Sequence, residues 1–184
     1  MLSTPALFQG NARRWRIAPP TPAADAALVG NGLPPLAAHL LARRGIVTEP
    51  SATDFMGVSE RLFEDPAALP HIDEAISRLR LARERGETVA VYGDFDADGV
   101  TGTALAVKAL TRFGVRAISY IPHRVSEGHG LNNAAVDTLR ERGAELIITV
   151  DCGVTDVGPV AYARNHGVDT IITDHHHVPD GDLP

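Results

Sequence analysis

Residues 88–100 read Thr88-Val-Ala-Val-Tyr-Gly-Asp-Phe-Asp-Ala-Asp-Gly-Val100, and their first five residues decide the fold. Thr88-Val89-Ala90-Val91-Tyr92 is a short apolar run with no polar alternation, the pattern of a strand buried on both faces. Strands of that kind belong to parallel sheets, because only crossover helices cover both sides of a sheet. The run then breaks at Gly93 into three acids at alternate positions, Asp94, Asp96 and Asp98, with Gly99 and Gly102 close behind. An acidic, glycine-rich turn after a buried strand is where an α/β sheet binds its ligands.

Toward the C-terminus, apolar runs alternate with helical patterns. Thr101 to Phe113 predicts a helix, Val115 to Ile121 a strand, Asn132 to Arg142 a helix, Leu146 to Val150 a strand, Thr155 to Asn165 a looser helix and Thr170 to Thr173 a final strand. This rhythm predicts a mainly parallel, doubly wound α/β sheet. Its strand ends read GDFDADG after Tyr92, DCG after Val150 and DHHH after Thr173, so each opens its turn with an acid.

Carboxylates on adjacent loops raise each other's pKa, and hard divalent cations relieve that cost by accepting their oxygens. Imidazoles beside them shift preference toward Mn or Zn. A turn or helix cap would account for any one of these acids, but not for three strand ends together. A dinucleotide fingerprint fits poorly, because Gly93, Gly99 and Gly102 do not form GxGxxG and the acids would repel a pyrophosphate. A calcium loop starting at Asp94 would have glycine at position 6, as Gly99 provides, but Glu at position 12, where Leu105 stands.

The N-terminal half has a different texture. Pro19, Pro20, Pro22, Pro34 and Pro35 among small residues predict an irregular arm over residues 1–35. Residues 36–86 read as a small helical region: Leu36 to Gly45 forms one helix, and Ile72, Ala75, Ile76 and Leu79 mark another ending at Gly86. Arg78, Arg80, Arg83 and Arg85 read as its solvated face. In Arg13-Arg14-Trp15-Arg16, Trp15 is read as anchoring the arm to its own domain rather than stacking on nucleic acid.

The chain has 184 residues, 44% of them hydrophobic, enough for a substantial core. Its formal charge of −6 is unevenly distributed. Residues 1–86 carry ten Arg against nine acids, whereas residues 87–184 carry seven Lys or Arg against fourteen. Such an acidic half meets phosphate only if cations neutralise some carboxylates. No apolar run approaches the roughly 20 residues that span a bilayer, and the first residues lack the apolar centre of a signal peptide. A cytoplasmic location is expected. Cys152, the single cysteine, excludes an intramolecular disulfide and reads as a small buried residue.

VYGDFDADGVTG, IITVDCG and TDHH together resemble the first three motifs of the DHH phosphoesterases, in the form carried by RecJ-type single-strand-specific exonucleases. LARRGI, FEDPAALP, the helix before GETVAVYGD, and IPHRVSEGHGLN resemble the same subgroup in the same order, so nearly the whole chain beyond the arm is covered. The resemblance implies that Asp96 and Asp98 ligate metal, with Asp94 a further ligand, and that Asp151 bridges two divalent cations, Mn²⁺ or Mg²⁺. It also implies His175 as the imidazole ligand, Asp174 as a ligand or its orienting partner, and His176 as a catalytic or phosphate-contacting group. His177 is expected to be an exposed bystander. His123 and Arg124, in a loop after a strand, are candidates for phosphate contact, arginine in bidentate fashion. Asn132 and Asn133 are expected to cap the next helix.

Two features depart from the family pattern. His129 stands where relatives often carry an aromatic residue, and the chain stops at Pro184, before the expected fourth-motif aspartate and the further domains. Residues 87–184 are therefore expected to be a DHH domain incomplete at its C-terminus, and residues 1–184 alone are expected to show weak or absent nuclease activity. The activity implied is 5′-to-3′ degradation of single-stranded DNA in recombination and repair, with single-strand-binding protein and a helicase as expected partners and no membrane. Two alternatives are a DHH hydrolase of short oligonucleotides or pyrophosphate, and a non-catalytic DNA-binding or replication scaffold.

Overall fold

The computed structural model describes residues 7–10, 13–16, 19, 21–57 and 65–184, the first two of these segments by backbone alone. It divides into two compact units, residues 1–66 and 67–184.

In the first unit, β1 (Leu7–Gly10) pairs antiparallel with β2 (Arg13–Arg16). The side chains of the Arg13–Arg16 run lie outside the described residues. Among the described residues of this unit, three helices follow: α1 (Pro22–Gly30), α2 (Pro35–Ala42) and α3 (Glu49–Met56). Leu28, Ala38, Leu41, Ala42 and Ala52 form their shared core. The irregular arm expected over residues 1–35 is thus corrected by a strand pair and a helix. Pro22 does not interrupt α1, because it sits in the first turn, where its missing amide hydrogen has no helical partner to lose. Helix α3, which the sequence reading missed, starts at Thr48, whose hydroxyl accepts from the Ser51 amide at 3.3 Å.

In the second unit, α4 (Ile72–Arg85) leads into β3 (Thr88–Gly93), followed by α5 (Ala97–Phe113), β4 (Arg116–Tyr120), α6 (Asn133–Glu141), β5 (Ala144–Val150), α7 (Val157–Asn165) and β6 (Asp169–Thr173). The four strands form one parallel sheet in the order β4-β3-β5-β6. Every residue of β3 is buried, as its sequence requires. Its alternate side chains feed two cores. Val89 and Val91 join Leu146 and Ile148 of β5, Leu110 of α5 and Ala82 of α4 on one face. Ala90 and Tyr92 join Ile147 with Val136 and Leu139 of α6 and Val160 and Ala163 of α7 on the other. Each such Val, Leu or Ile contributes about 1.5–3 kcal/mol by leaving water.

The packing boundary falls at Pro66, not at the Gly86/Glu87 charge boundary, because α4 covers one face of the sheet. Arg78 is likewise not a solvated residue. Its guanidinium donates to Glu87 Oε2 at 2.6 Å and Asp169 Oδ2 at 2.7 Å, tying α4 to the amino-terminal end of the sheet. Glu87 is 6% exposed, so the pair is largely desolvated. Among the described residues, no helix is long and apolar enough to cross a membrane.

Candidate metal centre

Strand register brings the acids together. Gly93 stands opposite Val150, and Val150 opposite Thr173, so β3, β5 and β6 end in line. The next residues are Asp94, Asp151 and Asp174. The ladder continues one step past the strands: the Asp94 amide donates to the Val150 carbonyl at 3.1 Å, and the Asp151 amide to the Thr173 carbonyl at 2.9 Å. Between β3 and β5 the chain order reverses, since β4 lies on the far side of β3. Ligands of such sheets bind at that reversal.

The turn after β3 is tighter than the sequence suggested. Helix α5 begins at Ala97, not Thr101, because Asp96 caps it, accepting from the Gly99 amide at 3.2 Å. Asp98 therefore projects from the first helical turn. Two glycines make the close packing possible. A Cβ on Gly93 would lie 1.8 Å from Thr103 Oγ1 and 2.8 Å from the Gly99 carbonyl oxygen, and one on Gly99 would lie 2.5 Å from the Asp94 carbonyl oxygen.

Asp151 holds a left-handed backbone, φ 63°, which is uncommon for a residue with a side chain. Its carboxylate is 7% exposed and lies 2.8 Å from His175 Nε2 and 3.9 Å from His176 Nδ1. Burial, and then the neighbouring Asp98 charge, push the Asp151 carboxyl above the ordinary carboxylate range, while hydrogen bonding with His175 opposes them. His175 Nε2 also stands 3.6 Å from Asp98 Oδ2. Contact with the Asp96 carboxyl, followed by its own helix amide, holds Asp98 below the ordinary range.

Asp174 has both oxygens engaged. Oδ2 accepts from the Val154 amide at 3.0 Å, and Oδ1 accepts from the His176 amide at 3.0 Å and ring Nδ1 at 2.7 Å. Burial opposes its charge, but these hydrogen bonds prevail and hold its pKa below the ordinary value. The same contact raises the pKa of His176.

Among the described residues, two groups of three carry atoms close enough to share a cation: Asp94, Asp96 and Asp151; and Asp151, His175 and His176. Asp151 belongs to both. The donor set suits divalent metal, one group being all carboxylate and the other mixing carboxylate with imidazole.

The remaining expected residues divide. Asp98 and Asp174 belong to neither group, and Asp174 acts on His176 instead. Arg124 is brought to the rim, its guanidinium 4.6 Å from the centre of the Phe95 ring. The His123 ring pairs with Ser126 Oγ at 3.0 Å and joins no cluster. His177 is exposed. Asn132 caps α6, accepting from the Ala135 amide at 2.9 Å. The sequence reading missed Phe95 as a platform and gave no role to His129, whose Nδ1 donates to Asp94 Oδ1 at 3.2 Å.

Residues 88–184 match the DHH family, N-terminal domain. The chain is 41% identical over 150 residues to the single-stranded-DNA-specific exonuclease RecJ of Bacillus subtilis, across 82% of this chain and 19% of that relative. Two solved structures are similar at a TM-score of 0.59 each. One is exonuclease RecJ bound to manganese, 38% identical, covering 63% of this chain and 30% of that one. The other is RecJ from Thermus thermophilus in complex with Mn²⁺, 29% identical, covering 90% of this chain and 23% of that one. The chain thus spans less than a third of the length of each of these proteins.

Proposed function

The chain belongs to the DHH family, and from that premise we propose that it carries the metal-holding part of a 5′-to-3′ exonuclease acting on single-stranded DNA in recombination and repair. The observation that carries this reading is the membership of Asp151 in both ligand groups. Asp94 and Asp96 would hold one cation, His175 the other, and Asp151 both, with Asp98 beside the second, its Oδ2 3.6 Å from His175 Nε2; the ions would be Mn²⁺, as in the manganese-bound structures similar to this chain, or Mg²⁺.

When bound by these residues, two such ions would supply a water of lowered pKa and charge stabilisation for an in-line displacement at phosphorus. The protein's own residues do the positioning. Asp174 takes Nδ1 of His176, so that ring meets a phosphate oxygen through Nε2. Arg124, stacked on Phe95, offers a bidentate donor to a phosphate beside the scissile one, with His123 next to it in the same loop. No side chain of the site needs to act as nucleophile. Single-strand-binding protein and a helicase fit as partners of such an enzyme, and the cytoplasm as its location.

The test is incubation of the full-length protein with Mn²⁺ and end-labelled single-stranded DNA, double-stranded DNA, short RNA and pyrophosphate, beside Asp151→Asn. Stepwise loss of single-stranded DNA from its 5′ end, absent in the variant, is expected. Turnover of pyrophosphate or dinucleotides with long single strands untouched would assign a different DHH activity, and no turnover at all would favour a scaffold.

A further inference from the structure

We propose that His129 is a positioning residue that sets the orientation of the Asp94 carboxylate for its cation, an assignment that rests on the two-cation reading above. Asp94 is a carboxylate with a side chain only 4% exposed. A buried charge of that kind is stable only when its oxygens are engaged. His129 Nδ1 donates to Oδ1 at 3.2 Å, which fixes the rotation of the carboxylate about its last bond. His129 itself joins neither of the groups close enough to share a cation, so its contact with the site runs through Asp94.

The His129 ring is 58% exposed, and its inner side has two ring neighbours. It meets Phe95 edge-on at 5.9 Å and His176 edge-on at 6.1 Å. It therefore bridges a residue of the carboxylate group's loop and one of the imidazole pair. The backbone just after it is pinned at two points, to β3 and to the turn before α7. The buried hydroxyl of Tyr92, in β3, donates to the Gly130 carbonyl at 2.7 Å, and the Leu131 amide donates to Asp156 Oδ2 at 2.6 Å. Gly130 has φ 80° and sits so close to Asp156 that a Cβ would lie 2.8 Å from both carboxylate oxygens, so this anchor accepts glycine alone. An aromatic residue without a ring nitrogen at position 129 would keep the edge-on contacts and lose the hydrogen bond. The histidine of this chain adds that donor.

The test is calorimetric titration of the whole protein with Mn²⁺, comparing wild type, His129→Phe, His129→Asn and Asp151→Asn, with thermal unfolding measured in the absence of metal as a check on folding. Phe keeps the ring and removes the donor, while the Asn amide nitrogen takes the place of Nδ1. H129F is expected to weaken Mn²⁺ binding on the order of 10–100-fold, the usual cost of losing a residue that orients a metal ligand, with H129N recovering most of that loss and both unfolding at the wild-type temperature. Wild-type affinity in H129F while D151N loses binding would overturn the role of His129 and leave the metal centre standing. Equal weakening in H129F and H129N would also overturn it. Wild-type protein that binds no Mn²⁺, or D151N that binds it unchanged, would overturn both readings.

Discussion

The Asp151 amide donates to the Thr173 carbonyl at 2.9 Å, so the turn bearing the shared carboxylate is tied to the strand that delivers His175 and His176. With φ 63°, Asp151 places its side chain where an extended residue could not. Asn tolerates this backbone, whereas Ala costs roughly 1–2 kcal/mol there. Asp151→Asn is therefore expected to unfold no earlier than wild type without metal, since it also removes a charge that burial and Asp98 oppose. Asp151→Ala is expected to unfold earlier. Both should lower nuclease activity by more than about 100-fold, beyond the effect of losing a residue that only orients a ligand. Thermal melts and initial rates check the two halves separately.

Gly93→Ala is predicted to destabilise the second unit by about 1–3 kcal/mol through overpacking. The added methyl meets Thr103 Oγ1 and the Gly99 carbonyl, and the second of these belongs to a helix turn that cannot rotate away. Urea unfolding measures the loss. A wild-type midpoint would mean that the turn yields, and that its tightness does not hold Asp94 and Asp96 together.

Arg78→Ala should cost about 1–3 kcal/mol, because it leaves the buried Glu87 with only the exposed Arg85, 3.6 Å away, as a cation. The bond to Asp169, which is 60% exposed, adds little. Replacing both partners, Arg78→Met with Glu87→Gln, should recover most of the loss in equilibrium unfolding. Equal destabilisation in the single and double variants would show that the stem of Arg78, not its charge, supports the sheet.

Glu127 braces the loop that carries Arg124 and His129. It accepts from the His123 amide at 2.7 Å and from the Tyr120 hydroxyl, and these bonds hold its carboxyl below the ordinary glutamate range. A carboxyl depressed in the folded state stabilises the loop fully above its ordinary pKa, and that contribution disappears as pH falls through the folded value. Amide protection factors over residues 123–131 should thus be constant near neutrality and fall below about pH 4. Glu127→Gln should remove that acid dependence and raise KM for single-stranded DNA while leaving kcat nearly unchanged. An unchanged KM would separate this loop from substrate binding.

Much of the second unit was legible in the sequence because one strand decided it. A fully apolar β3 demands helices on both faces, and the acids that follow β3, β5 and β6 mark the ends that meet at the site. The start of α5 was not legible, since Gly99 and Gly102 read as turn residues. They serve close packing against Asp94 and Val150 instead. Helix α1 was hidden by prolines that break a helix interior but not its first turn. The pairing of Arg78 with Glu87 and Asp169 was hidden by distance, its partners lying 9 and 91 residues away. His129 stood out in the sequence only as a departure from the family pattern, and its contact with Asp94 crosses 35 residues.

The central claim is that one carboxylate, Asp151, serves two cations. Electron paramagnetic resonance of the protein titrated with Mn²⁺ tests it most directly. Two ions sharing a ligand at the roughly 3.5–4 Å separation of two-metal sites couple magnetically, so the wild type is expected to develop a coupled signal at two Mn²⁺ per chain, and Asp151→Asn to lose it. A wild-type spectrum of isolated Mn²⁺ at every ratio, unchanged by the substitution, would contradict the account.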